Sequence, residues 1–117
     1  MEIIEWFQPR AWFVENHRRS LLCRRFDWPR VVHTSYCSYG FPYRKTTTIA
    51  TNLRDFFLRD RCGGAGVCAQ MFGSRHLQHA QKGGGGTENV FQSRDELHRI
   101  PGELCDDVVR WCEAGVK

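Results

Sequence analysis

Glu15 and Asn16 are the first residues whose types and position could do chemistry. They follow directly on a short apolar run, Ala11–Val14, which has the composition of a buried parallel strand. Open α/β sheets bind ligands at the carboxyl ends of their strands, so a carboxylate at this point would lie in a partly desolvated cleft that raises its pKa. It could accept a hydrogen bond or, once protonated, donate one. The same pair could also be an ordinary polar turn.

A second segment, Tyr36–Lys45, combines three tyrosines and a phenylalanine with two adjacent cations, Arg44 and Lys45. Gly40 and Pro42 mark it as a loop. Aromatic rings can stack on nucleobases, while arginine and lysine contact phosphates or base edges. The alternative is a hairpin whose aromatic side chains pack into the core, and composition alone favours that alternative.

A third group contains Cys62, Cys68, His76 and His79, which are ligand types for zinc. The five residues between the two cysteines exceed the usual spacing of about two to four. Ordinary free thiols and no metal site are therefore the expectation.

In this order, the segments resemble the second half of the cytosine-5 DNA methyltransferases, especially their compact phage-like and viral-like branch. The pair Glu15–Asn16 is similar to the family's Glu-Asn strand end, and residues 39–52 resemble its Tyr-Gly-x-Pro-Tyr-Arg-Lys-Arg-Thr-Arg-Ile-Trp-Thr-Asn stretch. Residues 76–83 resemble a His-x-x-x-Ala-Gln-Arg-Gly pattern, and residues 101–113 a Leu-Cys helix. The resemblance covers nearly the whole chain.

The resemblance implies an α/β fold, the C-terminal portion of a Rossmann-like class I methyltransferase sheet that ends in an antiparallel strand pair and a C-terminal helix. It implies DNA methylation, with a methyl group moving from S-adenosylmethionine to a flipped cytosine. Glu15, with Asn16 beside it, would hold that base as the catalytic pair. The residues that would contact DNA are Tyr43, Arg44, Lys45, Thr46 and Thr48.

Several departures from the family pattern bear on activity. Thr46 and Thr48 stand where the family has two arginines that contact the target nucleotide, His17 stands where Pro or Val is usual, and Ala50 where Trp is. None of the six cysteines follows a proline, whereas the family's nucleophile lies in a Pro-Cys loop. No glycine-rich strand-to-helix turn is present to bind S-adenosylmethionine. The chain is therefore expected to be a truncated enzyme, inactive alone.

The supporting elements follow from periodicity and breakers. Residues 2–8 read as the end of an amphipathic helix stopped by Pro9, and residues 18–25 as a short helix. Val31–Tyr36 and Thr46–Thr51 read as antiparallel neighbouring strands, because the loop between them is too short for a crossover helix.

The second half of the chain divides in two. Residues 62–99 are glycine-rich and are expected to be irregular and mobile, while residues 100–115 predict a helix. One face of that helix would carry Leu104, Val108, Trp111 and Cys112. The 117 residues thus predict a single partial domain, with residues 1–61 forming the helix and strand portion.

Charge and composition limit the partners and the compartment. The net charge is +4, and residues 1–61 carry 11 of the 17 Lys/Arg against 6 of the 13 acids, which suits a polyanion such as DNA. The start MEIIEWFQPR lacks the basic and apolar regions of a signal peptide, and no run is long enough to span a membrane. We therefore expect a soluble, intracellular protein with reduced cysteines, in a compartment that the sequence does not define.

Three functions remain open. The first is a DNA (cytosine-5) methyltransferase-like domain that depends on a missing N-terminal half or another subunit. The second is a non-catalytic nucleic-acid-binding module that uses Arg44 and Lys45. The third is an inert structural or interaction remnant with an uncovered apolar surface.

Overall fold

A computed structural model describes residues 2–18, 20–78 and 99–115 of the chain. Its elements are helix α1 (Glu2–Phe7), strand β1 (Phe13–His17), helix α2 (Leu21–Arg25), strands β2 (Arg30–Ser35) and β3 (Thr46–Thr51), hairpin strands β4 (Met71–Phe72) and β5 (Arg75–His76), and helix α3 (Gly102–Gly115). A 3-10 helix, Tyr36–Tyr39, follows β2. The predicted α/β class, antiparallel pair and C-terminal helix are confirmed at this level.

The main sheet has three strands in the order β1-β3-β2, and β3 pairs antiparallel with both neighbours. The pairing of β2 with β3 was predicted from the short connection. The interpretation of Ala11–Val14 as a parallel strand ending before Glu15 is wrong for the described strands. The strand runs through Glu15 and Asn16 to His17, because hydrogen bonding along β3 continues past the apolar run.

The helices agree with the breaker signals. Gln8 ends α1 with a left-handed backbone (φ 43°), its N–H donates to the carbonyl of Ile4 at 2.9 Å, and Pro9 follows. Ser20 caps α2, since its hydroxyl accepts from the Leu22 N–H at 3.2 Å. The short helix predicted for residues 18–25 therefore begins slightly later than expected.

The glycine-rich segment contains more structure than expected. Strands β4 and β5 form a two-stranded antiparallel sheet, with Gly73 in a left-handed conformation at the turn. Residues 62–70 lie in turns and irregular backbone, as predicted. Residues 79–98 of the segment, which include Gly83–Gly86 and most of the His76–Gly83 pattern, lie outside the described residues.

The core lies between one face of the main sheet and α3. Its buried members are Tyr36, Tyr39, Tyr43, Ile49, Phe56, Leu58 and Leu104. Val108 and Trp111 of α3 pack against it, which confirms the predicted face of that helix, and Cys112 is half-buried.

No helix in the described parts of the chain is long and apolar enough to cross a membrane.

A polar network joins the 3-10 helix to α3. The Tyr39 hydroxyl donates to Oδ2 of Asp107 at 2.7 Å and accepts from the Arg59 N–H at 3.1 Å. Burial is the main reason why the pKa of Tyr39 rises to about 12. Burial also opposes ionisation of Asp107, but the hydrogen bond from Tyr39 and the adjacent Arg110 outweigh it and lower the Asp107 pKa.

Asp107→Asn is expected to lower the free energy of unfolding by about 1–2 kcal/mol at neutral pH. Because the native pKa of Asp107 lies below the ordinary 3.8, its contribution is complete above that value and disappears as pH falls through the native pKa. Urea unfolding between pH 2 and pH 7 measures this: the loss caused by the substitution should shrink on acidification. Asp106→Asn, at the exposed neighbouring position, is the control. A loss that is constant with pH would contradict the assignment.

Candidate functional site

The Glu15 carboxylate lies at the centre of a small polar site formed by β1, β3 and the start of the 3-10 helix. The Thr47 hydroxyl donates to Oε1 of Glu15 and also lies 3.0 Å from the carbonyl oxygen of Asn16. Tyr36 lies near this carboxylate, and burial followed by the negative charge of Glu15 raises the pKa of Tyr36. The hydrogen bond from Thr47 orients the Glu15 carboxylate. Because Glu15 is exposed, the carboxylate is still reachable from solvent.

Asn16 and Thr48 are directly opposite in the β1–β3 register, on the other face of the sheet from Glu15. The Asn16 side-chain oxygen accepts from the backbone N–H of His17 at 2.8 Å. Thr48 is fully buried, and its hydroxyl lies 2.7 Å from Nδ1 of His33. Burial, followed by the charges of Arg18 and Arg61, lowers the pKa of His33 and favours the neutral imidazole.

The segment Tyr36–Lys45, here called the aromatic loop, packs its rings into the core, as the alternative interpretation of its composition predicted. Tyr36, Tyr39 and Tyr43 are all at most 5% exposed. The ring of Phe41 makes edge-to-face contacts with those of Tyr36 and Tyr43, at centroid distances of 5.6 and 5.5 Å. These rings therefore shape the loop and are not displayed as a stacking platform.

The cations of the loop are placed differently from its rings. Arg44 is exposed, and the Lys45 ammonium lies 5.2 Å from the centroid of the Tyr36 ring, which is cation–π geometry. Because Tyr36 also contacts Glu15, Lys45 lies close to the carboxylate site. Thr46 is half-buried at the first position of β3, directly after Lys45.

Asn52 closes the other end of the β1–β3 pair. Its side-chain oxygen accepts from the Trp12 N–H at 3.0 Å, and its side-chain nitrogen donates to the carbonyl of Arg10 at 2.9 Å. The last residue of the family-like stretch thus holds the backbone that leads into Glu15. Sequence reasoning did not assign Asn52 a role, because this contact crosses 40 positions of the chain.

The structure therefore brings two of the predicted groups together. Asn16 on β1 lies opposite Thr48 on β3, and Glu15, opposite Ile49, faces the other side of the sheet. Thr46 begins β3, and Lys45 and Arg44 lie at the adjoining end of the loop. Arg44, Glu15 and the partly exposed Asn16, Lys45 and Thr46 are accessible, whereas Tyr43 and Thr48 are buried. Their roles stay predictions.

A separate cluster gathers three cysteines and a histidine. The side-chain ligand atoms of Cys37, Cys62, Cys68 and His76 all lie within 4.8 Å of one another. Sequence reasoning named the last three but favoured ordinary thiols, and it missed Cys37, which is 25 positions before Cys62. His79 lies outside the described residues.

Comparison with known proteins gives one informative similarity. The chain is similar to a probable DNA (cytosine-5)-methyltransferase of frog virus 3 (isolate Goorha), with 28% identity over 120 residues that cover 96% of this chain and 54% of the relative. The chain thus spans about half the length of the curated relative that it matches. This similarity supports a methyltransferase-like relationship. No family model matches the chain, and no solved structure matches it.

Proposed function

We propose that this chain is the part of a DNA (cytosine-5) methyltransferase-like protein that receives the flipped target base. It corresponds to the C-terminal half of such an enzyme, at the edge of a Rossmann-like sheet, and acts on DNA inside the cell. Glu15 holds the base, and the exposed Arg44 contacts the DNA backbone.

The observation that carries this proposal is the position of the Glu15 carboxylate. The Thr47 hydroxyl donates to it and Tyr36 lies nearby, yet Glu15 remains exposed. A carboxylate oriented in advance can accept from the amino group of an extruded cytosine without first losing side-chain freedom. Residues 15 and 47 belong to two segments that resemble the same family and that the fold makes adjacent.

This chain binds the target base, and the chemical step takes place on another polypeptide segment or subunit. None of the chain's cysteines follows a proline, and within residues 2–18, 20–78 and 99–115 no glycine-rich strand-to-helix turn is present to bind S-adenosylmethionine. A second polypeptide segment or subunit would have to provide the nucleophile and the methyl donor. Alone, the chain should bind an extruded cytosine and leave it unmodified.

The test measures binding of the full chain to two labelled duplexes by fluorescence anisotropy. One duplex carries a cytosine opposite an abasic position, and the other carries the same cytosine opposite guanine. Because an unpaired base removes much of the extrusion cost of a few kcal/mol, we expect at least about fivefold tighter binding to the first duplex. Glu15→Ala should abolish this preference. Arg44→Ala should weaken binding to both duplexes equally, and it should reduce the slope of log affinity against log salt concentration by about one.

Glu113→Ala, an exposed acid on α3, is the matched control for loss of a negative charge and should keep the preference. Salt-dependent but equal binding to both duplexes would contradict the base-binding role and favour the nucleic-acid-binding module. Absence of binding at low salt would favour the inert remnant. Methyl transfer from S-adenosylmethionine by this chain alone, above background, would overturn the division of roles.

A further inference from the structure

The cluster of Cys37, Cys62, Cys68 and His76 has the composition and size of a structural zinc site. In tetrahedral coordination, with Zn–S near 2.3 Å and Zn–N near 2.0–2.1 Å, a sulfur and a nitrogen ligand lie roughly 3.5–3.6 Å apart. Nε2 of His76 lies 3.4 Å from Sγ of Cys62 and 3.7 Å from Sγ of Cys68. With Cys37 included, every pair of ligand atoms lies within 4.8 Å, so a single ion fits between them after small side-chain adjustments.

The backbone around Cys62 and Cys68 is folded as a ligand loop. The N–H groups of Val67 and Cys68 both donate to the carbonyl of Gly64, at 3.1 and 2.9 Å, which turns the chain back on itself. Gly64 has φ 84°, a conformation that a residue with a Cβ rarely adopts. The Gly64 N–H also lies 3.4 Å from Sγ of Cys62, in the position of a donor that stabilises a metal-bound thiolate.

The other two ligands come from elements that are separate in sequence. Cys37 is buried in the 3-10 helix after β2, and His76 lies on β5 of the small hairpin. The Cys62 N–H donates to the Ser35 hydroxyl at 3.0 Å, so the loop is anchored beside the 3-10 helix. The four ligands therefore connect the main sheet to residues 61–78.

Apolar packing does not account for this connection. Within the described parts of the chain, the core cluster and the side chains packed against it include no residue from 61–78. Two apolar side chains of this segment, Val67 and Phe72, are 76% and 75% exposed. A small substructure without its own core needs another source of stability, and a bound metal is a common one.

From these observations we propose that Cys37, Cys62, Cys68 and His76 bind one zinc ion in a closed structural site. Three thiolates and one imidazole fill all four positions, so the site leaves none open for a catalytic water. The ion attaches residues 61–78 to the 3-10 helix that begins the aromatic loop. Cys37 thereby fixes the start of the loop that carries Arg44 and Lys45, whatever this loop binds.

The first test uses the full chain, purified under reducing conditions without chelator. Metal analysis should give about one zinc per chain. Replacing zinc with cobalt should produce the intense visible bands of a tetrahedral ion and a thiolate-to-cobalt charge-transfer band. Thiol-specific labelling should leave three cysteines unreactive until the metal is removed, and limited proteolysis should then become faster within residues 61–78.

The second test compares variants. Cys37→Ser and His76→Ala should each lower zinc content at least about tenfold, whereas Cys105→Ser, at an exposed position on α3, should keep it. The Cys37 variant is the sharper one, because sequence spacing alone would not include that residue. Should a ligand variant fail to fold, the cobalt spectrum and thiol protection of the unaltered chain decide the matter.

Three outcomes would overturn the proposal. The first is an unaltered chain that neither carries zinc nor takes it up when reduced. The second is a cobalt complex without a thiolate charge-transfer band. The third is full zinc content in a folded Cys37→Ser variant.

Discussion

Phe56→Ala is expected to lower the free energy of unfolding by about 3–5 kcal/mol, the usual cost of removing a buried aromatic side chain. Phe56 is fully buried. Its ring makes edge-to-face contacts with the rings of Phe13 of β1 and Trp111 of α3, at centroid distances of 5.2 and 5.8 Å. The substitution would therefore open a cavity at the contact between the sheet and α3. Small domains are stable by only about 5–15 kcal/mol, so most of the stability should be lost.

Urea denaturation followed by tryptophan fluorescence measures this loss, and Phe57→Ala is the matched control. Phe57 is the next residue and is 63% exposed, so its truncation should cost less than about 1 kcal/mol. Equal costs at the two positions would contradict the placement of Phe56 at the centre of the core.

Thr48→Arg is the second substitution with a large expected effect, and it introduces the residue type that the family has at this position. Thr48 is fully buried beside His33, whose pKa is already lowered by burial and then by the charges of Arg18 and Arg61. A guanidinium at position 48 would be a buried, unpaired cation close to the positive charges of Arg18 and Arg61. We expect a loss of more than about 3 kcal/mol, measured as a lower midpoint of urea unfolding.

Thr46→Arg is the matched control, because it introduces the same side chain at a less buried position of β3. Thr46 is half-buried at the first position of β3, beside the exposed Arg44. An arginine there can extend its charge into solvent, so stability should change by less than about 1 kcal/mol, and DNA affinity in low salt should rise several-fold. Similar stability losses for both variants would contradict the burial difference between the two positions.

These two threonines bear on the proposed function in different ways. The side chain of Thr48 is fully buried, so it is not available for contact with a nucleic acid in this structure. Thr46 is only half-buried, so a side chain at this position can reach solvent. Under the proposed function, Arg44 and Lys45 are therefore the cations that would contact DNA here.

Local signals were sufficient for most of the elements. β-Branched residues predicted the strand Thr46–Thr51. Pro9 predicted the end of α1, which the structure places at the left-handed Gln8. The spacing of Leu104, Val108 and Trp111 predicted the buried face of α3. These features succeed because propensity, capping and periodicity act within a few residues. The short connection between β2 and β3 likewise determined their antiparallel pairing.

Contacts between distant segments required the tertiary structure. Ala11–Val14 could not show that β1 continues through Glu15, because the hydrogen bonds that extend it come from β3, more than 30 positions away. Composition favoured packing of the loop tyrosines into the core, but it did not exclude contact with DNA, since the same rings suit both. Only the packing against Ile49 and Leu104 decides that they are buried.

The sequence by itself determined the resemblance to cytosine-5 DNA methyltransferases, the identity of Glu15–Asn16 as the candidate base-binding pair, and most of the secondary structure. All of these depend on residue type and order along the chain. The tertiary structure decided how the Glu15 carboxylate is held, which family-like positions are buried, and that Cys37 joins Cys62, Cys68 and His76. Such features depend on distances between side chains, and the sheet pairing and the turns of residues 62–78 set those distances.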